Sequence, residues 1–451
     1  MRDLLFATLI GALVAAALVR PHLGLLGYVW FSLMAPHRLT FGFAQDTPWA
    51  QILFLVTLLR WFVSTERKLP DWSLLHALLA LFTVHFTLSF LQAWAPEPAA
   101  VKLDAALKLM LGLYLTTALI DRPERLRALI WVVALSVGFY GLKGGLFVLA
   151  TGGAHQVLGP YPSLMADNNG IALALVMVLP LFVFLYETSR GFWLRAALAA
   201  AAGLIAIAVL GTWSRGGLLA LVAMALVLWW HSKAKLPLAL LGATAGLVLV
   251  AVLPEAWFAK MSTIDEYQED ASAQLRFTAW EYAWNVALAS PIFGGGFKVF
   301  VLNNIRHGAG GHSDYLNAHS IYFEVLGELG FVGLALFLAI IASAFLIAGR
   351  LMRLERERPE YRDLARLGAA LRVSLVGYAV GGALLNMAFF ELFYHLLAIA
   401  IVAQGLARTV PIASSPSEQP AEVAVDRREL ARRLLAGTWK APSDHGPAIS
   451  R

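Results

Sequence analysis

Residues 329–349 read LGFVGLALFLAIIASAFLIAG, and the next residue is Arg350. A helix rises 1.5 Å per residue, so about 20 apolar residues span the hydrocarbon of a bilayer. Lipid offers backbone groups no water, and a segment that bonds its own N–H and C=O groups is a helix. Working outward, further apolar segments run over 4–19, 23–35, 47–64, 73–93, 102–120, 125–150, 168–187, 193–211, 214–231, 237–253, 319–349, 368–388 and 390–407. The first two are short and form one broken span or a hairpin. The expectation is an all-α polytopic membrane protein of about twelve transmembrane helices.

Composition agrees. Of 451 residues, 59% are hydrophobic and 14% charged, against about 25% charged in soluble domains. Mean hydropathy is +0.69. The chain has no cysteine, which excludes disulfides, zinc–thiolate sites and iron–sulfur clusters. Its net charge of +6 sits in short connections between apolar runs, the pattern of the positive-inside rule, and does not point to nucleic acid. The first apolar run ends at Arg20-Pro21 with no small-residue cleavage site.

Charge sorts the connections. Arg60, Arg67 and Lys68, then Arg122, Arg125 and Arg127, then Arg190 and Arg195, then Lys233 and Lys235, then Arg350 to Arg366 read as cytoplasmic. Segments 36–46, 94–101, 151–167, the turn near 211–215, and 254–318 face outward, and the C-terminus falls in the cytoplasm. The expected organisation is a helix bundle over 1–253, an outward loop with an interfacial helix over 254–318, C-terminal transmembrane helices over 319–408, and a disordered Pro/Ser/Ala-rich tail over 409–451. Within the outward loop, Ser272 to Ala289 reads as a helix with Trp280 and Trp284 on one face at the membrane boundary. Gly294-Gly295-Gly296 then reads as a flexible turn.

Four outward cations break the charge rule: Arg215, Arg276, Lys298 and Arg306. Arg215 lies at a helix end beside an apolar run, where a cation is costly unless it faces a partner or a wet cavity. Snorkelling to headgroups accounts for one such residue. Several from separate segments favour an anionic ligand, and arginine's planar fork suits phosphate oxygens. Gly216 and Gly217 would let a bulky ligand approach the helix end. Lys143, within a span, reads as reaching the same cavity from below. His319 opens a helix at the outer boundary and is a candidate general base. Glu328, deep in that helix, calls for a cationic or hydroxyl partner. Asp167, Asn168 and Asn169 read as helix caps. His307, His312 and Asp314 match no familiar metal spacing, so no metal and no cofactor are expected.

Taken in order, "TWSRGGLLAL", "AQLRFTAW", "SPIFGGGF" and "AHSIYFEVLGELGFVGL" resemble the signature stretch of bacterial O-antigen ligases and related polymerases, over roughly residues 160–400. The amino-terminal stretch "RDLLFATLIGALVAAALVRPHLGLLGYVWFSLMAPHRLT" resembles the subgroup called exosortase-associated O-glycosylation ligases. Many family members carry Asn after the histidine, where this chain has Ser320. The resemblance implies a glycosyltransferase C-like fold in the bacterial inner membrane with a periplasmic site. It implies metal-independent, inverting transfer of a glycan from undecaprenyl diphosphate to a lipid A–core sugar hydroxyl, in lipopolysaccharide biosynthesis. Arg215 and His319 would act in catalysis, with Arg215, Arg276, Lys298, Arg306 and Lys143 on the diphosphate, and with Ser320, Glu328 and Asn168 beside the acceptor or supporting the site. An O-antigen or exopolysaccharide polymerase and a protein O-glycosylation ligase share the motifs. A transporter, which would place its ionisable groups near the midplane, fits the outer-rim cations less well. Neither the sugar nor the oligomeric state can be read from the sequence.

Overall fold

The computed structural model describes residues 2–40, 42–64, 72–231, 235–236, 240, 254–262, 271–302, 317–357 and 359–409. Every regular element among them is helical: α1 (Arg2–Val19), α2 (Pro21–Met34), α3 (Trp49–Phe62), α4 (Leu74–Leu91), α5 (Pro96–Leu119), α6 (Pro123–Thr151), α7 (Asn168–Thr188), α8 (Phe192–Gly211), α9 (Arg215–His231), α10 (Glu255–Ser262), α11 (Ala271–Ala289), α12 (Ile321–Glu357), α13 (Arg362–Gly382) and α14 (Glu391–Thr409), with two short 3₁₀ turns and the single turn Phe43–Asp46. The chain is an all-α polytopic membrane protein.

Seven described helices are long and apolar enough to cross a membrane: α4, α6, α7, α8, α12, α13 with the turn before it, and α14. Shorter apolar helices cover Phe6–Val19, Trp49–Phe62 and Arg215–Trp230. The expected span over 102–120 falls, but for its last residue, on α5, a 24-residue helix carrying Glu97, Lys102, Asp104 and Lys108. The expected span over 237–253, apart from residue 240, and the expected tail over 409–451, apart from residue 409, lie outside the described residues. The first two apolar runs form a hairpin: a Cβ on Gly24 would come within 2.5 Å of the Ala17 Cβ. Their backbones can approach this closely because Gly24 has no side chain.

Helix α7 is the centre of the bundle. Its most apolar window is 78% buried, against 33% for α8, so α8 keeps a lipid-facing side while α7 is enclosed. The core runs from α7 through α6, α12, α13 and α14 to α4 and α5. Contacts between helix termini gather the starts of α7, α9, α12 and α14 at one end of the bundle with the ends of α6, α8 and α13: Asn168 Nδ2 meets the Thr212 carbonyl, Ala388 N–H meets Glu324 Oε2, and a Cβ on Gly211, Gly216 or Gly382 would meet Val148, Leu384 or Ile321 respectively. That end holds the candidate site.

Helix α12 is broken. Gly330 has φ 70° and ψ −171°, so the 37-residue segment is two helices meeting at this residue. A break leaves carbonyls without helical partners, and buried ones need others. Here the Gly-rich segment supplies them. Gly295 N–H donates to the Gly327 carbonyl and Gly296 N–H to the Glu328 carbonyl, both at 2.9 Å; Phe331 N–H donates to the Pro291 carbonyl at 2.9 Å. The Ser89 hydroxyl also reaches the Glu328 carbonyl at 3.2 Å, and His85 Nε2 lies 2.9 Å from the Leu329 carbonyl. The expected flexible turn at Gly294–Gly296 is instead a clamp around the break. A Cβ at Gly294 or Gly330 would lie 2.6 Å from backbone atoms of the other strand of that clamp.

Candidate active site

Three helix starts build the site, and each is capped by its own sequence. Asp167 Oδ1 accepts from Gly170 N–H at 2.5 Å at the start of α7. Ser214 Oγ accepts from Gly217 N–H at 3.0 Å at the start of α9. Ser320 Oγ accepts from Tyr322 N–H at 3.3 Å at the start of α12. Side-chain oxygens here satisfy first-turn N–H groups that have no helical partner.

The α7 and α9 starts are tied to each other. Asn168 Nδ2 donates to the Thr212 carbonyl at 3.0 Å, and the Ser214 hydroxyl donates to Asn169 Oδ1 at 2.7 Å. Asn168 and Asn169, expected as caps, therefore lock the Thr212–Ser214 turn, and the capping falls to Asp167. Half-buried Arg215 follows this turn as the first residue of α9. Gly217 serves packing: a Cβ there would sit 2.5 Å from the Ala172 Cβ of α7. A Cβ on Gly216 would only touch Leu384, at 3.6 Å.

His319 stands just before α12. Its flank is pinned by α11, where Trp280 Nε1 donates to the Ala318 carbonyl at 2.8 Å. The same indole stacks on Phe323 with 4.9 Å between centroids and 7° between planes. Trp284 meets Phe331 edge-on at 5.4 Å. The two tryptophans thus bind α11 to α12. Arg276 lies one turn before Trp280, on the same side of α11. Burial holds the His319 imidazole below its ordinary pKa, the Arg276 charge lowers it further, and the Asp167 carboxylate opposes both. Histidine, arginine and aspartate from three segments therefore share one electrostatic neighbourhood. An imidazole with a lowered pKa is neutral near pH 7 and able to accept a proton.

Backbone strain marks the same region. Among the described residues, four non-glycines have positive φ: Ala35 (48°), Trp213 (56°), Lys298 (60°) and His319 (45°). Three of them lie next to Arg215, at Lys298, or at the histidine itself. Such conformations cost about 1–3 kcal/mol each and collect at functional sites.

Beneath His319 lies the cationic partner that Glu328 calls for, in an ion cluster whose lysine the sequence reading did not identify. Lys102 Nζ from α5 lies 2.6 Å from Glu324 Oε1 and 2.5 Å from Glu328 Oε2. The two carboxylates are 3% and 2% exposed. Glu328 Oε1 also accepts from Lys298 N–H at 2.9 Å, and Glu324 Oε2 from Ala388 N–H at 2.9 Å. The ammonium further sits 5.3 Å from the Phe297 ring centre and 5.2 Å from that of Phe389. Two acids at i and i+4 on one buried face required a cation. That was the available signal, and the charged start of α5 was the place to look. Elsewhere among the described residues, Glu391 Oε2 accepts from the Ser32 hydroxyl at 2.5 Å.

Lys143 stands apart. It lines a cavity with Arg38, Tyr140, Gln156 and Tyr161, and neither Arg215, Arg276 nor His319 is among the lining residues. Arg306, with His307, His312 and Asp314, lies outside the described residues.

Residues 200–338 match the family model described as O-antigen ligase. Over this stretch, which is under a third of its length, the chain is similar to O-antigen ligases. The ligase-family match begins in α8 and ends within α12, so it spans the Ser214-Arg215 turn, Arg276, the glycine clamp and His319. Residues 1–190, which supply Lys102, Asp167 and Asn168, match a family of unknown function. No curated protein matches the chain. The match supports a ligase- or polymerase-type role in glycan assembly.

Proposed function

We propose that the chain transfers a finished glycan from a prenyl diphosphate, undecaprenyl diphosphate in a bacterium, to a sugar hydroxyl of lipid A–core. The transfer takes place at the periplasmic face of the inner membrane. The observation that carries this reading is the gathering of Arg276 and Asp167 around a neutral His319, with Arg215 fixed to the same helix starts through Asn168 and Asn169. In this reaction His319 takes the acceptor hydroxyl's proton or fixes its direction. The oxygen attacks the anomeric carbon, the bond from that carbon to the diphosphate oxygen breaks, and the electron pair leaves with the diphosphate. Attack from the opposite side inverts the anomeric centre. Arg215 and Arg276 meet the growing negative charge, with Lys298 and Arg306 as further donor contacts. Fixed cations help most where charge grows in the transition state. Ser320 and Glu328 support the histidine-bearing segment from behind.

The test is reconstitution in liposomes with a prenyl-diphosphate glycan and lipid A–core, resolving the products by mass. Wild type is expected to glycosylate lipid A–core, while His319→Ala inserts normally and transfers nothing. Arg215→Ala should weaken donor use, and Arg215→Lys should restore part of it, because a point charge does not reproduce the fork. A fully active His319→Ala enzyme would remove the histidine from the mechanism. Lengthening of the prenyl-linked glycan itself would replace the ligase reading with a polymerase.

A further inference from the structure

The cavity around Lys143 belongs to no step described so far. It measures about 390 Å³ and is lined by Arg38 and Leu39, by Tyr140, Lys143, Gly144 and Phe147 of α6, and by the 156–161 segment. Its walls are fixed. Val157 N–H donates to the Gly211 carbonyl at 2.8 Å, and Gly159 N–H to the Ala166 carbonyl at 3.2 Å. The Tyr140 hydroxyl donates to the Met34 carbonyl at 2.6 Å. Pre-formed hollows of this size, apolar with a few placed polar groups, are typical of small-ligand sites.

The polar groups have one sign. Lys143 lies eight residues inside the end of α6, which is about 12 Å along the helix axis. A cation at that depth marks a functional position unless it is paired, and Lys143 belongs to none of the described ion pairs. Arg38 reaches only Asp46, at 4.0 Å, and that carboxylate is 87% exposed. Beside these cations stand exposed apolar side chains: Leu39 is 48%, Phe147 40% and Leu158 61% exposed. Two cations from separate segments, set next to apolar surface on a membrane helix, match an anionic headgroup with its hydrocarbon chain alongside.

We propose that this cavity seats one phospholipid of net negative charge, with its phosphate between Arg38 and Lys143 and its chain along Phe147 and Leu158. The seat is independent of the transfer chemistry proposed above.

Native mass spectrometry of the full chain in neutral detergent tests it, with phosphatidylglycerol, phosphatidylcholine and inorganic phosphate as probes. Wild type should retain one phosphatidylglycerol in preference to phosphatidylcholine, and inorganic phosphate should not displace it. Each cation near a lipid surface contributes on the order of 1 kcal/mol, so R38Q/K143Q should retain phosphatidylglycerol about thirtyfold less well. Arg190→Gln, at the opposite end of the bundle, should bind as wild type does. Equal retention of both lipids by wild type overturns the proposal, and that comparison needs no variant. Displacement by inorganic phosphate, unchanged retention in R38Q/K143Q, or an equal loss in Arg190→Gln overturns it too.

Discussion

Replacing Lys102 with methionine keeps the length of the side chain and removes the only cation between Glu324 and Glu328 among the described residues. Breaking a buried ion pair from one side costs about 3–5 kcal/mol, because the partner is left charged and unsolvated. Here two carboxylates are orphaned, which pushes toward the upper end. Each keeps one backbone donor, Ala388 N–H for Glu324 and Lys298 N–H for Glu328, which pulls the other way. Loss of the contacts to Phe297 and Phe389 adds about 0.5–2 kcal/mol. The expected cost is therefore about 4 kcal/mol. The sign of the coupling is more diagnostic. Adding Glu328→Gln to Lys102→Met removes one stranded charge, so the double variant should be more stable than Lys102→Met alone. Glu328→Gln by itself should be milder, since Lys102 keeps Glu324. The assay is unfolding in mixed micelles followed by tryptophan fluorescence, run as a double-mutant cycle. A Lys102→Met protein within about 1 kcal/mol of wild type would refute the argument from buried charge. So would a double variant whose losses simply add.

Gly330→Ala should lower the unfolding midpoint and the yield of folded protein, because φ is 70° and the new Cβ would lie 2.6 Å from the Pro291 carbonyl oxygen. Gly203→Ala, with nothing within 4 Å of the added atom, should be neutral or slightly stabilising; equal effects at the two sites would contradict the clamp. The His319 imidazole is depressed by burial first and by Arg276 second. The folded state therefore binds its proton less readily than the unfolded chain. The stability this confers is complete above the ordinary histidine pKa and falls as pH drops below it. The acid limb of the transfer rate should likewise lie below that pKa, move up in Arg276→Gln and move down in Asp167→Asn. A limb unmoved by both variants would separate His319 from the titration. Arg215→Lys should retain more donor use than Arg215→Ala; equal activity would return Arg215 to a headgroup contact.

The helical, membrane-spanning character was legible because lipid allows so few answers for runs such as 329–349. The Ser214-Arg215 turn and the His319 helix start were legible for a related reason: polar groups beside apolar runs need an explanation. What stayed hidden depends on tertiary pairing. Lys102 reads locally as one charge among several at the start of α5, and only the fold brings it to Glu324 and Glu328. Three adjacent glycines read as looseness, yet Gly295 and Gly296 donate to carbonyls freed by a helix break that no local pattern announces. Lys143 sits on the correct end of α6 but looks into a different hollow, because helix rotation is set by packing against α7 and α8. Asn168 and Asn169 looked like caps by type; Asp167 does that work and leaves them to hold the neighbouring turn.

The Lys102 cluster also constrains how the protein is made. Lys102 precedes its two partners by 222 and 226 residues, so α5 is synthesised well before the acids emerge. Acidic residues entering lipid unaccompanied cost about 2.5–3.5 kcal/mol each at the centre of a span. The first part of α12 can therefore settle only where the amino-terminal helices are already waiting with a countercharge. The two halves of the chain are thus coupled in biogenesis: a defect in docking α5 would strand the histidine-bearing segment outside the bundle, even with every one of its own residues intact.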